Sequence, residues 1–156
     1  IGRDPVQVRR HAADIRDALA AADPGNAKYY AENYRVYAAA LDELDRDIRQ
    51  ALEGRRTDYF LVSHGAFGHY AERYGLNEVA LEKNGKEAGP RSLGRFIEIA
   101  RRERLGVLFA VGQYKSPFLL TLADEIGARL VEVDPLAGDY LAGMRRFTAA
   151  VAAAVR

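Results

Sequence analysis

Tyr59-Phe60-Leu61-Val62-Ser63-His64-Gly65-Ala66-Phe67-Gly68 is the stretch on which the reading of this chain turns. A run with the pattern of a buried strand ends in a histidine, and a glycine turn then opens a helix. That places His64 at the carboxyl end of a strand, where ligands gather in open α/β sheets, and imidazole is the commonest side-chain metal ligand. A second run, Ala128-Arg129-Leu130-Val131-Glu132-Val133, ends in the same manner in Asp134-Pro135-Leu136. If both strands are parallel members of one sheet, a nitrogen donor and a carboxylate face a common crevice.

Outward from these two strands, the sequence alternates. Short apolar runs at 59–62, 79–81, 107–111 and 130–133 are separated by amphipathic segments at 67–74, 92–104, 117–126 and 139–155. Strands alternating with helices predict right-handed crossovers and a parallel sheet covered on both faces. Tyr140, Met144, Phe147, Val151 and Val155 share one helical face, so the last helix is expected to dock on that sheet. Before Thr57 the period is helical only. Asp4-Pro5 and Asp23-Pro24 each offer an N-cap acceptor followed by proline at the first helical position. Val8, Ala12, Ile15, Leu19 and Ala22 form one apolar stripe, and Tyr30, Asn33, Tyr37, Leu41, Leu44, Ile48 and Leu52 form another that continues to Gly54. A helix over 24–54 is about 45 Å long. The expectation is therefore an α/β fold: a Rossmann-like four-stranded parallel sheet with helices on both faces, preceded by two helices, the second a long connector. Residues 1–54 form the helical segment and 55–156 the α/β unit.

Composition narrows the function classes. At 156 residues and 17.3 kDa the chain makes one ordinary domain, able to bury roughly two thirds of its unfolded surface without a disulfide or metal staple. Its 23 basic and 22 acidic residues give a formal charge of +1 and are interspersed, so no basic stripe argues for nucleic acid or anionic lipid. Cysteine is absent, which removes thiol redox chemistry, thiolate nucleophiles and thiolate zinc sites. No apolar run approaches the ~18 residues of a membrane span, and no signal peptide is visible.

The ordered motifs carry a resemblance. Asp4-Pro5; Asp23-Pro24-Gly25-Asn26 with Tyr30, Asn33 and Tyr37; Val62-Ser63-His64-Gly65-Ala66-Phe67-Gly68 with Tyr74-Gly75-Leu76; Gln113-Tyr114 with Ser116-Pro117; and Asp134-Pro135-Leu136 with Tyr140 and Met144 together resemble the carboxyl-terminal portion of the zinc/manganese-binding solute-binding proteins of ABC transporters. The resemblance covers nearly the whole chain. It implies a two-lobed extracytoplasmic receptor, periplasmic or lipid-anchored, whose lobes are joined by a long rigid helix and hold one Zn²⁺ or Mn²⁺ ion between them for delivery to a membrane permease. The carboxyl-terminal lobe supplies the histidine of the strand-end motif and the aspartate of the Asp-Pro-Leu motif, here His64 and Asp134. The family's His-x-Trp-x-Asp-Pro motif would place its histidine just before Ile1, and Gly2 and Arg3 replace the usual tryptophan and apolar residue. Lys83-Asn84-Gly85-Lys86 is also more basic and turn-like than the family's loop. The amino-terminal lobe with its ligands is expected to lie outside this chain, so binding by the chain alone should be weak. The faces at 8–19 and 30–37, left uncovered, are expected to support a homodimer.

The donor chemistry is consistent on its own terms. Neutral imidazole and carboxylate suit Zn²⁺ or Mn²⁺, and two protein donors leave a site open where about four are needed for a closed one. The competing reading of His64 is a helix-capping or carbonyl-bonded edge histidine, and that of Asp134 a turn residue before proline. His69 and His11 read as surface or packing histidines. Gly65-x-x-Gly68 lacks the Lys-Ser/Thr of a phosphate loop. A hydrolase would need Ser63 to reach His64, yet neighbours on a strand point to opposite faces. The alternative to a metal receptor is a metal-independent interaction or adhesin-like module on the same scaffold.

Overall fold

The computed structural model describes residues 4–82, 89–112, 116–135 and 138–156. Several sequence expectations fall outside them: Gly2 and Arg3, the segment at 83–86, Gln113-Tyr114, and Leu136 of the Asp-Pro-Leu motif.

The chain opens with α1 (Pro5–Ala22), capped as its sequence predicts: the Asp4 carboxylate accepts from Val6 N–H at 2.9 Å, with Pro5 at the first helical position. The second start signal behaves differently. Pro24–Asn26 form a 3₁₀ turn, and α2 runs over Ala27–Ala51, shorter at both ends than the 24–54 of the sequence reading. The reason lies in Asp23, whose carboxylate accepts from the Asn26 amide at 2.7 Å and the Tyr30 hydroxyl at 2.9 Å instead of capping backbone N–H groups. Those bonds hold the Asp23 carboxyl below the usual range, the Asn26 side chain foremost.

Past Gly54 come β1 (Tyr59–His64), α3 (Gly68–Tyr74), β2 (Asn77–Glu82), α4 (Pro90–Arg102), β3 (Val107–Val111), α5 (Pro117–Ile126), β4 (Arg129–Val133) and α6 (Tyr140–Val155). The strands form one sheet in the order β2-β1-β3-β4, every neighbouring pair parallel. This is the doubly wound layer that the alternation predicts.

Strand alternation splits the core in two. Phe60, Val62, Phe109 and Val111 face α2, α3 and α6, where they pack with Leu44, Ile48, Tyr70, Phe147 and Val151. Leu61, Leu81 and Leu108 face α4 and α5, against Phe96, Ile99, Leu119 and Leu122. The last helix docks as expected, with Met144, Phe147, Val151 and Val155 all buried. Its Phe147 ring stacks on Phe67 with centroids 3.8 Å apart and 11° between planes. Thr148 bonds the Tyr70 hydroxyl at 3.0 Å, and burial raises the Tyr70 pKa far above the phenolic range despite that bond. At the end of α3, Gly75 takes φ +67°, the left-handed C-cap that a side chain resists, and turns the chain into β2.

The helical hairpin of α1 and α2 is anchored at its open end. Asp45 on α2 accepts from Arg73 Nε at 2.9 Å and Tyr74 Oη at 2.8 Å, both on α3, and from Arg49 at 3.1 Å. Arg73 also lies 3.3 Å from Asp4 at the cap of α1. Toward the tip, Ile15 and Tyr29 remain 60% and 64% exposed, beside exposed Leu19 and Val36. The tyrosines expected to lie bare there are partly held by their own chain. Tyr30 bonds Asp23, and the Arg16 guanidinium sits 4.4 Å over the Tyr34 ring. Tyr37 is half-buried, and its pKa is raised first by that burial and then by the nearby Asp139 carboxylate.

Candidate metal site

In this topology, the helix after β1 covers one face of the sheet and the helix after β3 covers the other. β1 and β3 are adjacent, so their carboxyl ends bound the crevice where a doubly wound sheet reverses direction and where such sheets bind ligands. His64 is the last residue of β1 and stands at that point.

The local hydrogen bonds open the crevice on one side of β1 and close it on the other. Pairing of β1 with β2 runs from Tyr59–Asn77 to His64–Glu82 and is extended by Gly65 N–H donating to Glu82 O at 3.0 Å. Among the described residues, pairing with β3 covers Leu61–Leu108 and Val62–Phe109. Beyond it, the Ser63 hydroxyl accepts from Val111 N–H at 2.9 Å, a buried contact that bridges the strands where the ladder gives out. Ser63 thus serves strand pairing. The hydrolase reading asked it to meet His64, and its hydroxyl bonds β3 instead.

His64 itself is 43% exposed at its side chain, and its Nδ1 lies 3.4 Å from Glu82 Oε1. The turn that follows is fixed by Glu78, whose Oε1 accepts from Ala66 N–H at 2.9 Å and Phe67 N–H at 2.7 Å. Those two donors are the ones a bound phosphate would need, which removes the local basis for a phosphate turn at Gly65–Gly68. Neither Glu78 nor Glu82 is singled out by the sequence. The signal that could have found them is register: in a parallel pair of equal length, the residues of β2 opposite Phe60 and His64 are these two glutamates.

Asp134 follows β4 at the same end of the sheet, exposed, on the wall of a cleft of about 340 Å³ between β4 and α6 that also includes Phe67, Asp139, Tyr140 and Arg146. The two sequence-predicted donors therefore share a sheet end and follow different strands. β3 lies between their strands, a separation of roughly 10 Å at about 4.8 Å per strand. Among the described residues no group of three histidine, cysteine or acidic side chains converges in a metal-holding cluster. His69 is an exposed residue 4.0 Å from Glu72, and His11 is exposed on α1, so both sit as the sequence reading has them. Among the described residues, no helix is long and apolar enough to cross a membrane.

Comparison with known proteins agrees with this architecture. The chain is 29% identical over 136 residues to the high-affinity zinc uptake system protein ZnuA of Bacillus subtilis, a match covering 86% of this chain and 43% of that protein. It is 30% identical over 133 residues to the iron-binding protein YfeA of Yersinia pestis, covering 81% of this chain and 43% of the relative. The chain thus spans less than half the length of these curated relatives. Among solved structures, the crystal structure of ZnuA matches with a TM-score of 0.92 at 29% identity, covering 98% of this chain and 60% of that one. The laminin-binding protein Lmb of Streptococcus agalactiae matches at 0.90 and 22% identity, a likeness of fold alone. The family model described as ZnuA, zinc-uptake complex component A periplasmic, matches residues 3–154, and the chain belongs to that family.

Proposed function

We propose that this chain is the carboxyl-terminal, metal-receiving lobe of an ABC-transporter solute-binding protein for a divalent transition metal, Zn²⁺ or Mn²⁺, with His64 and Asp134 as its donors. The observation that carries the reading is the placement of His64 at the switch point of a sheet whose fold matches ZnuA along nearly its whole length. Imidazole and carboxylate form the right donor chemistry for either ion. Two donors support weak binding by the chain alone, because a closed site needs about two more. The cargo is passed on rather than transformed, so the role is non-catalytic, extracytoplasmic and directed to a membrane permease.

The division into a helical segment at 1–54 and an α/β unit at 55–156 belongs to the same proposal. The carboxyl-terminal half of α2 is part of the core through Leu44 and Ile48, whereas its other half, with α1, extends past the sheet and keeps apolar residues in solvent. Uncovered apolar area is worth roughly 25 cal/mol per Å², so this surface supports self-association when nothing else covers it. Sedimentation at micromolar concentration is expected to show a dimer that Ile15→Lys with Leu19→Lys converts to monomer.

Isothermal titration with Zn²⁺ and Mn²⁺ tests the site. His64→Ala is expected to abolish specific binding, Asp134→Ala to weaken it and His11→Ala to leave it unchanged. Equal affinity in His64→Ala and the parent would mean that the measured site lies elsewhere.

A further inference from the structure

β2 is the edge strand beside β1, and it turns Glu78, Ala80 and Glu82 to the same face on which β1 presents Phe60, Val62 and His64. Ala80 packs on the core of that face, which confirms the phase of the alternation, while Val79 and Leu81 pack on the opposite side. The two glutamates therefore sit directly against the segment that carries the proposed metal donor. Glu78 takes the N–H groups of Ala66 and Phe67. The backbone carbonyl of Glu82 takes the N–H of Gly65. Three successive amides after His64 are thus tied to one strand, which fixes the backbone from which the imidazole projects.

The remaining freedom is the ring itself. A metal-binding histidine must present one nitrogen as a lone pair, and which nitrogen does so is set by what the other one bonds. Among the described residues, the side chain facing the His64 ring is Glu82, whose Oε1 lies 3.4 Å from Nδ1. We infer that Glu82 is a positioning residue of the metal site: its carboxylate accepts the Nδ1 proton of His64 and so assigns Nε2 as the nitrogen that donates to the cation. The inference rests on the reading of His64 as a metal donor and adds to it the residue that selects the ring's tautomer. Glu82 is 39% exposed at the end of an edge strand and contributes no side chain to either core cluster, so replacing it leaves the packing intact.

The test uses the metal-free chain first, because a tautomer can be read without metal. Long-range ¹H–¹⁵N correlation spectra of the three imidazoles, assigned with His64→Ala, are expected to show His64 protonated at Nδ1 in the parent. Glu82→Ala should shift it toward the Nε2-protonated form. Glu82→Gln, which retains an acceptor oxygen, should preserve the parent tautomer. Zinc titration of the same proteins should then give a dissociation constant raised about 10- to 100-fold by Glu82→Ala and less by Glu82→Gln, the range found when such outer carboxylates are removed. A parent ring protonated at Nε2, or a Glu82→Ala protein with unchanged tautomer and unchanged zinc affinity, would overturn the inference. Unchanged zinc affinity in His64→Ala would overturn the metal-donor reading itself, a separate failure with a separate signature.

Discussion

Removing the Phe147 ring should be the most damaging single truncation near the turn that follows His64. The side chain is 5% exposed and lies at the centre of an aromatic cluster, stacked on Phe67 and edge-on to Phe60, Tyr70 and Phe109 at centroid distances of 6.1, 5.3 and 5.6 Å. Truncating a buried phenylalanine to alanine costs about 3–5 kcal/mol in lost transfer energy and residual cavity. Each well-placed aromatic pair adds about 0.5–1.5 kcal/mol beyond its area. With four such partners, Phe147→Ala is placed at the upper end, about 4–5 kcal/mol. In a domain of this size that corresponds to a fall in Tm of roughly 10–15 °C. Phe147→Leu fills much of the volume without the ring and should cost about 1–2 kcal/mol. Urea denaturation followed by circular dichroism measures both, with an unchanged slope required for the comparison. A double-mutant cycle with Phe67→Leu should show coupling of about 0.5–1.5 kcal/mol from the stacked pair. A loss under about 2 kcal/mol for Phe147→Ala, or equal losses for the alanine and leucine variants, would refute the claim that this ring organises the face beneath the turn.

Other perturbations probe other joints. Burial works to raise the Asp45 carboxyl, but hydrogen bonds from Arg73, Tyr74 and Arg49 outweigh it and hold the group below the usual carboxylate range. A depressed folded pKa contributes stability above the unfolded value of about 3.9 and loses it as pH falls through the folded value; Asp45→Asn should therefore flatten the acid limb of the stability–pH curve below about pH 4, measured by urea titration at several pH values. Ser63→Ala leaves the buried Val111 N–H without its acceptor and should cost about 1–3 kcal/mol, while Ser63→Thr, which keeps the oxygen, should cost less. Zinc binding should weaken as pH falls toward about 5 because protons compete for the imidazole nitrogen, and a pH-independent affinity would argue against a histidine donor.

The sheet was legible in the sequence because periodicity changes sharply at Thr57 and because each strand is a short apolar run closed by a turn. Its strand order was not. Order depends on which crossover helix covers which face, and Tyr70 on α3 and Phe96 on α4 are equally apolar in sequence yet lie on opposite sides. Boundaries slipped where side chains chose partners off the regular pattern. Asp23 reads as an N-cap beside Pro24, but Asn26 and Tyr30 compete for its carboxylate and tighten the first turn into a 3₁₀ turn. His64 and Asp134 could be named from their positions after apolar runs. Glu78 and Glu82 could not, since a glutamate in an edge strand is an ordinary residue until register sets it opposite Phe60 and His64.

The placement of the two proposed donors has a mechanical consequence. His64 ends an interior strand and is tied through Gly65, Ala66 and Phe67 to β2, so its backbone moves only with the sheet. Asp134 follows β4, an edge strand with a paired neighbour on one side only, and precedes Pro135, which denies the loop a backbone donor. One proposed donor ends an interior strand and the other follows an edge strand. An imidazole and a carboxylate can reach a shared ion from backbones separated by the roughly 10 Å that β3 sets between their strands. An imidazole whose tautomer is preset by Glu82 would meet that ion without first reorienting its ring.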